Sequence, residues 1–141
     1  MTNLVTALFP GLDERAARLE DLRPCYDWAH RFLLRVKREE FSRGRGPTGP
    51  HRPLKASTRR RHRTGVPLWN TKDLGRSYYE ASHSLHVWRE HSDGFDFGSS
   101  HPVHRFLEAK GYDLEGLSDE TWRALDEALW EWIDTGELPA L

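Results

Sequence analysis

Cysteine and methionine are almost missing from this chain: Cys25 and Met1 stand alone among 141 residues. A lone cysteine excludes an intrachain disulfide framework and, by itself, a zinc site built on cysteines, and it fits a reducing compartment. Long apolar runs are missing too. No stretch approaches the roughly 18 consecutive apolar residues that a membrane span requires, so no membrane partner is expected. Met1 to Pro10 has no basic end, and Asp13 and Glu14 soon follow, so no secretory signal is expected either. Apolar residues are scarce overall, at 37% of the chain.

Aromatic residues are not scarce. Six Trp, six Phe and four Tyr are too many for a disordered chain. A polar, aromatic-rich chain of this length has room for one ordinary domain, 1–141, and for apolar surface kept for a partner. The net charge of -1 hides a division along the chain. Arg35 to Arg63 holds eleven Lys or Arg against Glu39 and Glu40, whereas Glu108 to Leu141 holds ten acids against Lys110 and Arg123. A dedicated DNA binder is usually basic overall. Balanced but segregated charge favours the basic part of one subunit meeting the acidic part of the next.

Apolar residues at Leu12, Ala16, Leu19, Leu22, Tyr26, Ala29, Leu33 and Val36 recur at helical steps and predict one core-facing stripe. Pro24 belongs in a first turn and Asp21 is a candidate N-cap, so the pattern divides into a short helix before Asp21 and a long one over 22–41. Gly and Pro then crowd into 42–53, which reads as a loop or arm. Ser57 or Thr58 would cap a short basic helix through Arg59, Arg60, Arg61, His62 and Arg63, ended by Gly65 and Pro67. The arm is expected to run over 42–68. Loose alternation over Ser77–Arg89, the turn Ser92-Asp93-Gly94 and Phe95-Asp96-Phe97 predict a hairpin within a three- or four-stranded sheet. A short helix over Pro102–Ala109 precedes a last helix capped by Ser118 and stopped at Gly136. Its stripe is Trp122, Leu125, Leu129, Trp132 and Ile133, with Trp130 pointing away. The expected fold is α+β: a long N-terminal helix and C-terminal helices on a small antiparallel sheet, with a long extended basic loop.

The chemistry-bearing residues form no recognisable catalytic pattern. His83 and His86 fall on a predicted strand, where a three-residue step splits them to opposite faces, leaving His101 and His104 as the pair able to converge. No His-Glu-x-x-His arrangement is present, and no metal or cofactor is expected. Gly98-Ser99-Ser100 lacks the second glycine of a nucleophile elbow, and Gly44-Arg45-Gly46 lacks the ending of a phosphate-binding loop. Cys25 reads as a packed small hydrophobe, and Glu39-Glu40 as a solvated helix face. A nuclease or toxin built on His51, His62 and Asp73 would need a motif that the chain lacks. Non-enzymatic function is the expectation. The run Arg59, Arg60, Arg61, Arg63 is the sharpest local signal, suited to phosphates with Trp69 or Tyr78 stacking nearby, or to acidic protein.

Read in order, several segments resemble the phage virion-morphogenesis or tail-completion family, the Mu-type and related neck proteins. Leu19 to Phe41, with Asp21-Leu22-Arg23-Pro24, resembles that family's opening long helix. Gly49-Pro50-His51-Arg52-Pro53-Leu54, followed by Ser57-Thr58 and basic residues, resembles its Pro-Leu loop, with His51 where tryptophan is usual. Gly65-Val66-Pro67-Leu68 with Thr71, Leu74 and Ser77 resembles its next segment, with Lys72 in place of glycine. Phe97-Gly98-Ser99 and Gly116-Leu117-Ser118 resemble its final third.

The resemblance implies a structural virion protein at the head–tail neck or upper tail end, acting in tail completion, termination or head–tail joining. It would form a homo-oligomeric ring, six-fold favoured over twelve-fold, assembled in the host cytoplasm. Its neighbours would be neck, connector or tail-tube proteins. A ring needs two different complementary surfaces. The expected interface residues are Arg43, Arg45, His51, Arg52, Leu54, Arg59, Arg60, Arg61, Arg63, Leu68, Trp69 and Trp130. Of these, Arg59, Arg60, Arg61 and Arg63 are also candidates for non-specific contact with packaged DNA. A small nucleic-acid-binding module using the basic arm is the alternative.

Overall fold

The structure, a computed structural model, describes residues 10–61, Leu68 and residues 72–141. The described residues form an α+β fold of six helices and two separate two-stranded antiparallel ribbons. In chain order these are α1 (Leu12–Glu20), α2 (Arg23–Ser42), β1 (Arg45–Gly46), β2 (Gly49–Pro50), α3 (Ala56–Arg59), α4 (Asp73–Tyr79), β3 (His86–Glu90), β4 (Phe95–Ser99), α5 (Val103–Ala109) and α6 (Asp119–Thr135). The expected sheet of three or four strands is therefore a pair of ribbons. Among the described residues, no helix is long and apolar enough to cross a membrane.

Helix α2 is the spine. Pro24 sits in its first turn, where its missing N–H costs nothing. Asp21 lies one position ahead of the N-cap, Leu22; its carboxylate accepts from the Arg23 amide and guanidinium instead of capping as expected. One end of α2 packs Trp28 and Ala29 against Ala128 of α6, with Phe32, Phe95, Leu125 and Leu138 around them. The other end packs Phe41 against Leu74, Tyr78, Tyr79 and Leu114. Between these two cores the buried face carries Lys37 and Glu40, so half of the Glu39-Glu40 pair is not solvated.

Two sequence readings are corrected by packing. The segment from Asp73 to Tyr79 is helical, and the strand begins only at His86. Leu74 and Tyr78 stand four apart, both facing Phe41, and Ser77 Oγ donates to the Leu74 carbonyl within the helix. The short run of Tyr78 and Tyr79 carries β propensity, and tertiary burial overrides it. In α1, Leu12 and Leu19 are exposed, so the apolar stripe does not extend ahead of Asp21. Arg15 pairs with Asp134, and the Arg18 guanidinium donates to the carbonyls of Ile133 and Asp134 at 3.0 Å each. The last carbonyls of α6 lack helical partners, so a cation there satisfies them and complements the helix dipole.

The remaining elements follow local signals. The β3–β4 hairpin pairs Trp88 with Phe97 and turns where the His91 amide donates to Gly94 O. Trp88 stacks on His30 of α2 with ring centroids 4.0 Å apart, which seats the ribbon on the spine. Ser118 Oγ accepts from the Thr121 amide and caps α6, and Gly136 ends it in the left-handed conformation. Ala128 and Ile133 are buried on α6, while Trp122 at the edge of the expected stripe is exposed. Of the expected basic helix, α3 spans Ala56–Arg59 and gives way to a turn at Arg60 and Arg61, with Lys55 at its N-cap and no side-chain cap from Ser57 or Thr58; His62 and Arg63 lie outside the described residues.

Candidate interaction surfaces

The segment after α2 does not leave the body at once. Arg43 caps the end of α2, and β1 and β2 make a tight turn that folds back, with the His51 amide donating to Gly44 O at 2.9 Å. Gly46 is buried against the 113 backbone so closely that a Cβ there would overlap the Asp113 carbonyl oxygen. The His51 ring meets Tyr112 edge-on, and burial holds its imidazole below the ordinary value of 6.5. The Arg52 guanidinium lies over the same Tyr112 ring and donates to the Lys110 carbonyl at 2.8 Å. Residues 43–52 are thus clipped to the loop between α5 and α6.

Beyond Arg52 the surface becomes cationic and open. Leu54, half-buried, lines a groove of about 540 Å³ with Pro53, Lys55, Thr58, Leu107, Lys110 and Tyr112. Apolar Pro53, Leu54 and Leu107 share its lining with the cations Arg52, Lys55 and Lys110. Arg60 and Arg61 are exposed just past α3. Leu68 adopts a positive φ of 62° and packs beside the Phe41 core, so it supports the fold from within. Arg63 and Trp69 lie outside the described residues, as does the Arg59 side chain. Arg43 and Arg45 border a second cleft of about 430 Å³ with Arg35, Glu39, Glu120 and the start of α6.

Helix α6 presents the opposite sign. Asp119, Glu120, Asp126, Glu127, Glu131 and Asp134 are exposed along it, with Arg123 as its one basic residue. Trp130, 56% exposed, stands among these acids, as its position off the apolar stripe predicted. An exposed tryptophan inside a charged face has the character of an interface anchor. A third surface is an apolar groove of about 220 Å³ between α2, β4 and α6, lined by Cys25, Tyr26, Trp28, Phe95, Trp122 and Leu129. Burial raises the Cys25 thiol to about 11, which keeps it protonated and unreactive near neutral pH.

The histidines pair in a way that spacing did not disclose. His83 and His101 each bring Nε2 to one oxygen of Asp73, at 3.0 Å. The amides of Leu85 and Val103 donate to their Nδ1 atoms, which fixes both rings with the proton on Nε2. Two imidazoles therefore donate to one carboxylate, and these bonds hold Asp73 below its usual range. His86 Nδ1 faces the Ser77 carbonyl and must donate to it, so its Nε2 accepts from His30 Nε2, 2.9 Å away. Burial, then the neighbouring His86, hold His30 below 6.5. His104 does not converge with His101; it turns to the Tyr78 hydroxyl on one side and to Glu108 and Glu115 on the other. Only contacts made by folding could have found these groupings, because each joins residues from different elements. The chain matches no protein-family model, no curated protein and no solved structure.

Proposed function

We propose that the protein is a non-enzymatic structural component of a tailed-phage virion, placed at the head–tail neck or upper tail end. There it acts in tail completion or termination and in head–tail joining, as a homo-oligomeric ring that is six-fold in preference to twelve-fold. The observation that carries this reading is the division of the surface into two unlike faces. One is the acidic outer side of α6 around Trp130; the other is the cationic surface from Arg52 through Lys55 to Arg60 and Arg61. Heterologous assembly needs such a pair, because each subunit offers a different patch to each neighbour. The order of family-like segments from Leu19 to Ser118 supports the same reading.

The test is electron microscopy of lysates from the parent phage or prophage with this gene disrupted. Filled heads beside separate tails, or tails of unregulated length, are expected. In the intact phage, reversing Arg59, Arg60 and Arg61 to glutamate blocks joining while circular dichroism of the purified variant stays unchanged. Normal joined particles from the disrupted gene would sink the reading. The arm's cations would then point to nucleic acid, and a steep fall of DNA affinity with salt would identify that role.

A further inference from the structure

His104, Glu108 and Glu115 bring one ligand atom each to a common point. His104 and Glu108 stand one turn apart on α5, and Glu115 arrives from the loop that leads to α6. The imidazole Nε2 lies 3.4 Å from Glu108 Oε2 and 3.3 Å from Glu115 Oε1, and the three residues each offer a ligand atom within 4.8 Å of the others. Good N–H···O hydrogen bonds measure ~2.7–3.2 Å. Two ligand atoms held ~2.0–2.1 Å from a tetrahedral zinc ion stand about 3.3–3.4 Å apart, and both separations match that edge.

The surroundings suit the same chemistry. The His104 side chain is only 12% exposed, and its Nδ1 meets the hydroxyl of the fully buried Tyr78. With Nδ1–H donating to that oxygen, the lone pair of Nε2 points toward the two carboxylates, the tautomer a metal ligand requires. Without a cation, a neutral imidazole has one Nε2–H for two carboxylates. Both glutamates remain open to solvent, at 41% and 51% exposure, so an ion has an entry path and a water can complete the fourth position. One nitrogen with two carboxylates suits Zn²⁺ and similar transition-metal ions better than Mg²⁺ or Ca²⁺, which take six or more oxygens.

We propose that His104, Glu108 and Glu115 form a zinc-type divalent metal site that clips the 110–118 loop to α5. The site is independent of the virion role and stands or falls without it.

Calorimetric titration of the tag-free protein with Zn²⁺, and visible absorption with Co²⁺, test the site. One ion per chain, the intense absorption of tetrahedral Co²⁺ and a rise in Tm on adding Zn²⁺ are expected. Glu108→Gln and Glu115→Gln sit at half-exposed positions and keep the fold by circular dichroism; each weakens Zn²⁺ binding more than tenfold and loses the Tm rise. Tyr78→Phe weakens binding about tenfold through the lost orientation of the ring. No stoichiometric uptake by the wild type would overturn the proposal. So would equal uptake by both glutamine variants, which would place the ion on other histidines.

Discussion

Lys37 Nζ, fully buried on α2, donates to the main-chain oxygen of Leu114 at 2.7 Å, across 77 positions of sequence. Its other two donors reach the Gly116 carbonyl at 3.0 Å and Glu40 Oε2 at 3.1 Å, so every N–H of the ammonium group is used. Burial pushes Lys37 down and Glu40 up from their ordinary values, and each partner opposes the other's shift. The lysine pins the loop that carries Glu115 and that closes over Gly46.

Replacing Lys37 by methionine keeps most of the volume but strands a buried carboxylate and two carbonyl oxygens. The expected loss is about 3–5 kcal/mol, the range for breaking a buried ion pair from one side. Glu40→Gln costs less, because its side-chain oxygen still accepts and Lys37 keeps both carbonyls. Urea unfolding of the two variants checks the order; a Lys37→Met protein as stable as Glu40→Gln would refute it.

The histidines make stability depend on pH with a definite sign. His30 and His51 are both held below 6.5 by burial, so the folded state prefers them neutral. Their contribution is whole above about pH 6.5 and is lost as the pH falls through their depressed folded values. Glu40, raised by burial, acts in the opposite sense, so the histidine part is read as a difference between proteins. Wild type should lose more stability between pH 7 and 5 than a His30→Gln, His51→Gln variant does. Equal losses would remove the assignment.

Gly46 marks the close approach of β1 to the 113 backbone. An alanine there would press on the Asp113 carbonyl oxygen and on the His51 ring. Backbone cannot swing aside as a flexible side chain does, so Gly46→Ala is expected to cost about 1–3 kcal/mol. The same variant should weaken the His51–Tyr112 contact. Thermal unfolding and ring-proton NMR read both effects, and an unchanged spectrum with unchanged Tm would contradict them.

Much of the fold was legible where the signal is local. The first turn of α2 with Pro24, the cap at Ser118, the stop at Gly136 and the turn at Ser92-Asp93-Gly94 each depend on residues within a few positions. The outward position of Trp130 follows from helical spacing alone. The histidine groupings were not legible, because Asp73, His83 and His101 meet only after α4, the β3 approach and the loop before α5 have packed. His104, Glu108 and Glu115 share part of a helical spacing, yet Glu115 reaches them through the path of a loop.

The helical spine, the hairpin, the Ser118 cap, the Gly136 stop and the separation of basic from acidic residues could be read from local sequence, since near-neighbour periodicity and charge order require no partner. Long-range packing settled which ambiguous segment became helix and which charged residues went inside. Phe41 drew Leu74 and Tyr78 to one helical face, and the carbonyls of Leu114 and Gly116 made a buried lysine stable at position 37. Burial energy depends on what lies across the chain, and periodicity within one segment carries no record of it.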